Sequence, residues 1–583
     1  MVDIICFDME IFKHDWMIYW LDTDEQQGYY IVNDKDKLQK FYDKYKDHIM
    51  ICYNGKHFDQ YIIQGILCGF DPYEITQWII RDGKQGWMYS NLFRKFPITV
   101  FDVMQPNKGL KQCEASLGIP IVESSIPFDI QRKLTPKEIQ ETLKYCKADV
   151  LATFEIFLQD GFYLSPQSEF QSSMGIIQEF NFPKWFMSKT KSQMGCSVLG
   201  AVRRNGELDA DEFDISTPHD VILGKYEPIR EWFLNPDNHW YYKPIEGRKT
   251  EQKNELIYNV AGEPHVFGFG GLHYSREREI IDGDLLLCDF GSLYPNIMVN
   301  YNLVSRGVPN PDRYKELLET RLQLKAEGND REESYKIALN GSYGQMKYKS
   351  SPLYDPRNAN NVCIHGQLIL VDLIEKIEQY GEITNSNTDG VLIKLHSKEY
   401  HSKVIEACDE VSKRLNIPIS IDEYKRFILK DVNNYIGIRK NGKVDCKGSY
   451  VKYKNPLEYN YNIIGHSIRE YFINNIPVHE TIMNCKDLRE FQIIANAGQK
   501  YKYAMYGDEP LTERVNRVFA STNPNDKGIF KLHKETGTKA KIEMTPEQCF
   551  IINGDIREMS IPNKLDKQFY IELAERRVKE FVK

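Results

Sequence analysis

Twelve cysteines are scattered through the chain, but none forms a CxxC pair. That absence excludes the common zinc clusters and leaves the thiols as reduced core residues. No apolar run approaches the roughly 18–20 residues that span a membrane. The opening MVDIICFDMEIF is acidic and unlike a signal peptide, so a cytoplasmic protein with no membrane partner is expected (host cytosol, if viral). Positive charge is not in surplus either: 75 Lys and Arg face 83 Asp and Glu, a net charge of −8. A generic polyanion-coating protein is thereby disfavoured. Any nucleic acid must be met by local basic surface, with carboxylates gathered elsewhere, for example around metals. Internal repeats and low-complexity tracts are missing too. What is present is length, 583 residues, enough for several domains, with an ordinary globular balance of 42% hydrophobic and 27% charged residues.

Residues 1–160 alternate strand and helix patterns. Stretches 4–7, 17–21 and 49–53 read as buried strands and 59–69 as a helix. Residues 135–158 read as a long amphipathic helix opened by Thr135, Pro136 and Glu138. Such alternation predicts an α/β layer. Residues 186–204 read as a helix, and the glycines of FGFGGLH at 267–273 as a hinge or close backbone approach. A buried strand then leads into Asp289. Residues 313–327 and 332–346 form a helical hairpin, and 382–395 a strand–turn–strand with Asp389-Gly390 at its turn.

Two groups of acids stand out. Asp8 and Glu10, two apart on a strand, share a face; Asp59, Tyr145 and Asp149 follow. Four carboxylates and a phenol suit two cations and an oriented water for phosphodiester hydrolysis. Further on, Asp289 ends a strand and Asp389 occupies a hairpin tip, where two acids can bridge a metal pair. By itself, Asp389 reads first as an ordinary Asp-Gly turn, and the neighbouring cations shift that balance. Arg321 and Lys325 are four apart on the first helix of the hairpin. Lys336, Asn340 and Tyr343 share one face of the second, and Arg321, Lys325 and Lys336 make three cations suited to a triphosphate. The run at 439–454, with Arg439, Lys440, Lys443, Lys447, Lys452 and Lys454, is either a nucleic-acid surface or a solvated face.

In this order the motifs resemble those of family B DNA polymerases, particularly compact bacteriophage enzymes. Asp8-Met9-Glu10, Asn54 with Phe58-Asp59, and Tyr145 with Asp149 are similar to the three exonuclease motifs. Gly268-Phe269-Gly270-Gly271 resembles the YxGG element. Asp289 with Ser292-Leu293-Tyr294-Pro295, Lys336 with Asn340 and Tyr343-Gly344, and Asn387-Thr388-Asp389 resemble polymerase motifs A, B and C. The resemblance implies an α/β and α+β multidomain chain, an RNase H-like exonuclease followed by a right-hand palm, fingers and thumb. Its expected parts are the exonuclease at 1–160, a connecting region at 161–280 and palm at 281–305 and 351–450. Short helical fingers at 306–350 and a thumb at 451–583 complete it.

The resemblance also implies roles. Two magnesium ions per site (manganese as an alternative) would be held by Asp289, Asp389 and the Phe290 carbonyl, and by Asp8, Glu10, Asp59 and Asp149, with Tyr145 orienting water. The amides of 291–293, Ser292, Leu293, Arg321, Lys325, Lys336 and Asn340 would receive the dNTP. Tyr294 would exclude a 2′-hydroxyl. Tyr343, Gly344, Tyr435 and Lys447 would meet primer–template DNA. Four departures accompany it: Gly268 where YxGG has its tyrosine, Asn387 where motif C usually has Asp, Gly341 where motif B has Ser, and Asn433-Asn434-Tyr435 where a KxY element is usual. The last leaves primer grip to Lys430 or Arg439. Only 47 residues separate Asp289 from Lys336, and 53 separate Lys336 from Asp389. The insertions of protein-primed phage enzymes have no room there, so extension of nucleic-acid primers, with weak strand displacement, is expected. The chain is expected to be a monomer that accessory replication proteins could assist. The competing expectations are a non-catalytic primer–template binder and a repair exonuclease with an idle palm.

Overall fold

The computed structural model describes residues 3–159, 168–245 and 250–583. The chain divides into two units. The first comprises Met1–Thr190, Lys454–Ile464 and His479–Leu573; the second comprises Lys191–Tyr453, Gly465–Val478 and Ala574–Lys583. Both mix helices and strands.

The first unit is built on a five-stranded sheet of β1 (Ile4–Ile11), β2 (Trp16–Asp22), β3 (Gln27–Val32), β4 (Ile49–Cys52) and β5 (Thr99–Asp102), in the order β3-β2-β1-β4-β5. β1 runs antiparallel to β2 and parallel to β4, which is parallel to β5. The near-continuous apolar reading of β1 and β4 suits strands covered on both faces. Among the helices that accompany the sheet are α1 (Lys35–Tyr45), α2 (Asp59–Cys68), α3 (Pro72–Thr76), α4 (Leu110–Leu117) and α5 (Pro136–Phe157). α5 begins with a reciprocal cap: Glu138 N donates to Thr135 Oγ1 at 3.3 Å, and Thr135 N donates to Glu138 Oε2 at 2.8 Å. The strands expected at 4–7, 17–21 and 49–53 lie in β1, β2 and β4. β3, QGYYIV, has one buried residue in six, and β5, TVFD, has two apolar residues between polar ones, so neither showed the continuous apolar run that marked β1 and β4.

The expected thumb at 451–583 is divided between the units. Its middle, His479–Leu573, joins the first unit through a three-stranded sheet (Ile493–Asn496, Val515–Ala520, Cys549–Ile551) and a four-stranded one. Val515 and Ile494 pack on Ala115 of α4 and Ile121, which explains the allegiance.

The second unit holds a seven-stranded antiparallel sheet. In order its strands are Tyr274–Ser275, Gly381–Ser386, Gly390–Leu395, Glu279–Phe290, Ile419–Asp431, Asn434–Arg439 and Val444–Lys447. The helix Pro356–Ile377 is buried along nearly its whole length. The expected helical hairpin is Pro311–Ala326 and Glu332–Met346, and the expected strand–turn–strand is Gly381–Ser386 with Gly390–Leu395. The helix expected at 186–204 is shorter, Lys191–Val198; Gly200, at φ +61°, turns the chain away. Among the described residues, no helix is long and apolar enough to cross a membrane.

Candidate active sites

In the second unit, the strand ending at Phe290 lies between two partners, with Asp289 opposite Gly390 on one side and Ser420 on the other. Phe290 N donates to the Asp389 carbonyl at 2.8 Å, so two acids a hundred positions apart sit side by side. The hairpin tip has its own lock. Asn387 Oδ1 accepts from Asp389 N at 3.1 Å and from Gly390 N at 2.7 Å. Asn387, the departure from the expected acid, therefore serves as a turn former. Gly390 leaves room for its neighbour: a Cβ there would lie 2.8 Å from Asp289 Oδ1 and would displace that carboxylate. Gly271 of the glycine loop is equally constrained, its Cβ falling 2.6 Å from Thr388 Oγ1. Buried Gln367 fixes that loop, bonding Gly268 N at 3.2 Å, Gly268 O at 2.7 Å and Gly270 O at 2.9 Å.

Burial, then Asp389, pushes the Asp289 carboxyl up to about 6, while Lys447 and Lys325 oppose that rise. Burial raises Asp389 as well, again against Lys447. Lys447 stands opposite Tyr435 on the edge strand, its ammonium 5.6 Å from that ring's centre. Lys430 and Arg439, the expected primer-gripping alternatives, are engaged elsewhere: Lys430 with Asp431 at 2.8 Å, Arg439 with Asp445 at 2.6 Å and with Asp422. Lys447, on the strand beside Tyr435, is thus a cation that acts on both aspartates.

A cavity of about 340 Å³ opens beside the two aspartates, lined also by Phe290, Ser292, Leu293, Tyr294, Arg321, Lys325, Asn340 and Tyr343. Ser292, at φ +53°, caps the helix Leu293–Asn300 in a left-handed conformation uncommon for a non-glycine residue. This turn aims the helix N-terminus, with its unpaired N–H groups, at the cavity. The Gly291 amide is not free for that purpose, since it donates to Pro418 O at 2.7 Å. Arg321 Nη1 donates to Ser292 Oγ at 2.9 Å and its Nε to Glu332 at 3.2 Å. Lys336 pairs with Glu333 at 2.8 Å and does not line the cavity. The rings of Tyr294 and Tyr343 meet at 4.5 Å. Gly366, buried behind them, lets Tyr294 approach; a Cβ there would stand 3.0 Å from its ring. Gly344, the next residue, is exposed.

In the first unit, Asp8 and Glu10 project from β1, Asp59 opens α2, and Tyr145 and Asp149 lie one turn apart on α5. Asp8, Glu10 and Cys146 offer ligand atoms within 4.8 Å of one another. Burial and mutual repulsion push Asp8 and Glu10 well above the carboxylate range, and burial followed by Asp102 pushes Asp59 up to about 7. Two residues of α4 were missed by the sequence reading. The Lys111 ammonium pairs with Asp149 and, at 3.0 Å, with Glu114, and it lies 4.7 Å from the centre of the Tyr145 ring. Glu114 is 1% exposed and pushed up to about 7, chiefly by burial. The available signal was a Lys and a Glu three apart in an otherwise small, apolar helix, LKQCEASL. Asn54 contributes its backbone: at φ +65° it forms a turn whose N–H donates to Asp102 at 2.8 Å.

Both donor sets are hard oxygens crowded against their own repulsion, which fits magnesium or manganese. Carboxylates of this kind bind protons more tightly in the folded chain than unfolded.

No family model matches the chain. Parts of it are similar to named DNA polymerases. It is 24% identical to DNA polymerase 1 of Saccharolobus solfataricus over 231 residues, 38% of this chain and 24% of that protein. It is 26% identical to DNA polymerase 2 of Aeropyrum pernix over 245 residues, 34% of this chain and 30% of the relative. It is 25% identical to the DNA polymerase alpha catalytic subunit of Arabidopsis thaliana over 298 residues, 44% and 19% respectively. The matches thus span about a fifth to a third of each relative's length. A solved structure, that of the family B DNA polymerase from the archaeon Pyrobaculum calidifontis, aligns with 100% of this chain and 78% of its own, at 14% identity and a TM-score of 0.43.

A raised folded-state pKa contributes stability below the unfolded value, and this is lost as pH rises through the folded value. In EDTA, Asp289→Asn should therefore match wild type in Tm near pH 4 and exceed it by roughly 1–3 °C at pH 8. Calorimetry across that window checks this; a difference independent of pH would contradict it.

Proposed function

We propose that the chain is a DNA-templated DNA polymerase with a 3′→5′ exonuclease, extending nucleic-acid primers. The observation that carries the reading is the adjacency of Asp289 and Asp389 beside a cavity rimmed by Arg321, Lys325 and a helix N-terminus. The partial similarity to archaeal and plant DNA polymerases supports it. The relatives named above are not phage proteins, so a bacteriophage origin adds nothing to the reading.

Asp289, Asp389 and the Phe290 carbonyl would hold a magnesium pair that activates the primer 3′-hydroxyl and steadies the departing pyrophosphate. Arg321 and Lys325 supply positive charge for the triphosphate, and the Leu293 and Tyr294 amides supply donors. Lys336 reaches the same phosphates only on leaving Glu333. Tyr294, pressed between Tyr343 and Gly366, closes the floor where a 2′-hydroxyl would sit. Lys447 lies close enough to both aspartates to meet the primer terminus. In the first unit, Asp8, Glu10, Asp59 and Asp149 would hold the metals of the hydrolytic site. There Tyr145 orients water while Lys111 offsets carboxylate charge. DNA would be held mostly through its backbone, so binding weakens with salt.

Asp389→Ala should abolish primer extension while sparing degradation of single-stranded DNA, and Asp8→Ala should do the reverse. Extension that survives Asp389→Ala would sink the metal assignment. No extension by wild type would favour a non-catalytic binder. Tyr294→Ala should raise ribonucleotide incorporation by about 10–200-fold relative to dNTP, the range a steric pocket provides; unchanged discrimination in single-nucleotide kinetics would remove Tyr294 from that role. Lys447→Ala should slow extension from a matched primer, read by single-turnover assay, more than it weakens duplex binding.

A further inference from the structure

The last carbonyls of any helix lack partners within it. In α4 these groups are taken up by residues almost four hundred positions away. Arg517, 0% exposed, donates from Nη2 to Glu114 O at 3.2 Å and from Nε to Ala115 O at 3.2 Å. Its remaining donors go to Ile119 O at 2.8 Å, Ile552 O at 3.1 Å and Gly554 O at 2.8 Å. All five N–H groups of the guanidinium are thereby used, each on a main-chain carbonyl. Gln492 Nε2 donates to Ser116 O at 2.7 Å. Ile556 N donates to Gly118 O at 2.9 Å, and Ile121 N to Asn553 O at 2.8 Å. Glu123 Oε1 accepts from Arg514 N at 2.7 Å and Val515 N at 3.2 Å.

The same short helix carries Lys111 and Glu114 into the carboxylate cluster. Burying an unpaired guanidinium is costly, and an apolar residue could fill this space without forming such bonds. The arrangement makes sense if the helix end must be held in one place. A cation at a helix C-terminus also suits the helix dipole.

We propose that Arg517 is a positioning residue for the hydrolytic site, holding α4 so that the Lys111 ammonium stays against Asp149. The inference rests on the exonuclease reading of that cluster and extends it: residues 488–556, expected as thumb, are part of the hydrolytic machinery's frame. Arg517 itself acts only through the main chain. A displacement of about 1 Å can cost a catalytic group on the order of a hundredfold in rate.

The test uses the full chain with magnesium, a 5′-labelled single-stranded oligonucleotide for hydrolysis and a primer–template for extension. Arg517→Lys, which keeps the charge but loses the fork, should lower kcat for hydrolysis about tenfold or more, with KM and primer extension unchanged. In a Lys111→Ala background, Arg517→Lys should change hydrolysis no further, because residues acting through one group are non-additive. Wild-type hydrolysis by Arg517→Lys, or effects of Arg517→Lys and Lys111→Ala that multiply, would overturn the proposal. Should Arg517→Lys fail to fold, Gln492→Ala, which removes a single bond to the same helix end, replaces it in the cycle. A smaller loss, again absent without Lys111, supports the proposal, and a multiplying loss overturns it. A wild-type chain that extends primers yet hydrolyses nothing would remove the exonuclease reading and this inference together. An active wild type with additive variants removes the inference alone.

Discussion

Like charges forced together are the constraint around which both units are arranged. Asp289 and Asp389 are brought side by side by a strand register, and Asp8, Glu10, Asp59 and Asp149 by a strand, a helix start and a helix face. Neither set is a comfortable product of folding: burial and repulsion raise these carboxyls above their ordinary range. Such placement costs stability, and the surrounding structure has to over-determine it. The supports are visible in each case: Asn387 and Gly390 at the hairpin tip, and Lys111 among the acids of the first unit.

Each cluster also faces cations carried by other elements, Lys325 among those of the second unit. Lys447 on an edge strand faces the aspartates of the second unit, and Lys111 on α4 faces those of the first. In the first unit Lys111 stands among Asp8, Glu10, Asp59 and Asp149, so that set keeps a surplus of acids over this cation. On the function proposed above, charge developing on a phosphoryl group would be met by preset counter-charge instead of by rearrangement.

The middle of the C-terminal segment shows how allegiance follows hydrogen bonds and apolar contact, not order along the chain. Residues 479–573 close the carbonyl end of α4 and share its apolar contacts. Residues 454–464 and 479–573 fall in the first unit, and 465–478 and 574–583 in the second; composition reports that a segment is globular and says nothing of which helix end it completes.

Period and propensity made several features legible in the residues alone. The two-residue step put Asp8 and Glu10 on one face, the helical step aligned Asn340 with Tyr343, and Asp-Gly marked the hairpin tip. The strands flanking Asp289 and Asp389, and the helix pair between them, followed from runs of apolar residues. Tertiary structure alone decided that Lys336 turns to Glu333, that the Gly291 amide serves Pro418, and that Lys447 acts on Asp289 and Asp389. It also brought Lys111, Gln367 and Arg517 into service. The reason is physical: local patterns act through neighbours a few positions apart, whereas a buried polar group is satisfied by whatever the completed fold sets within about 3 Å of it.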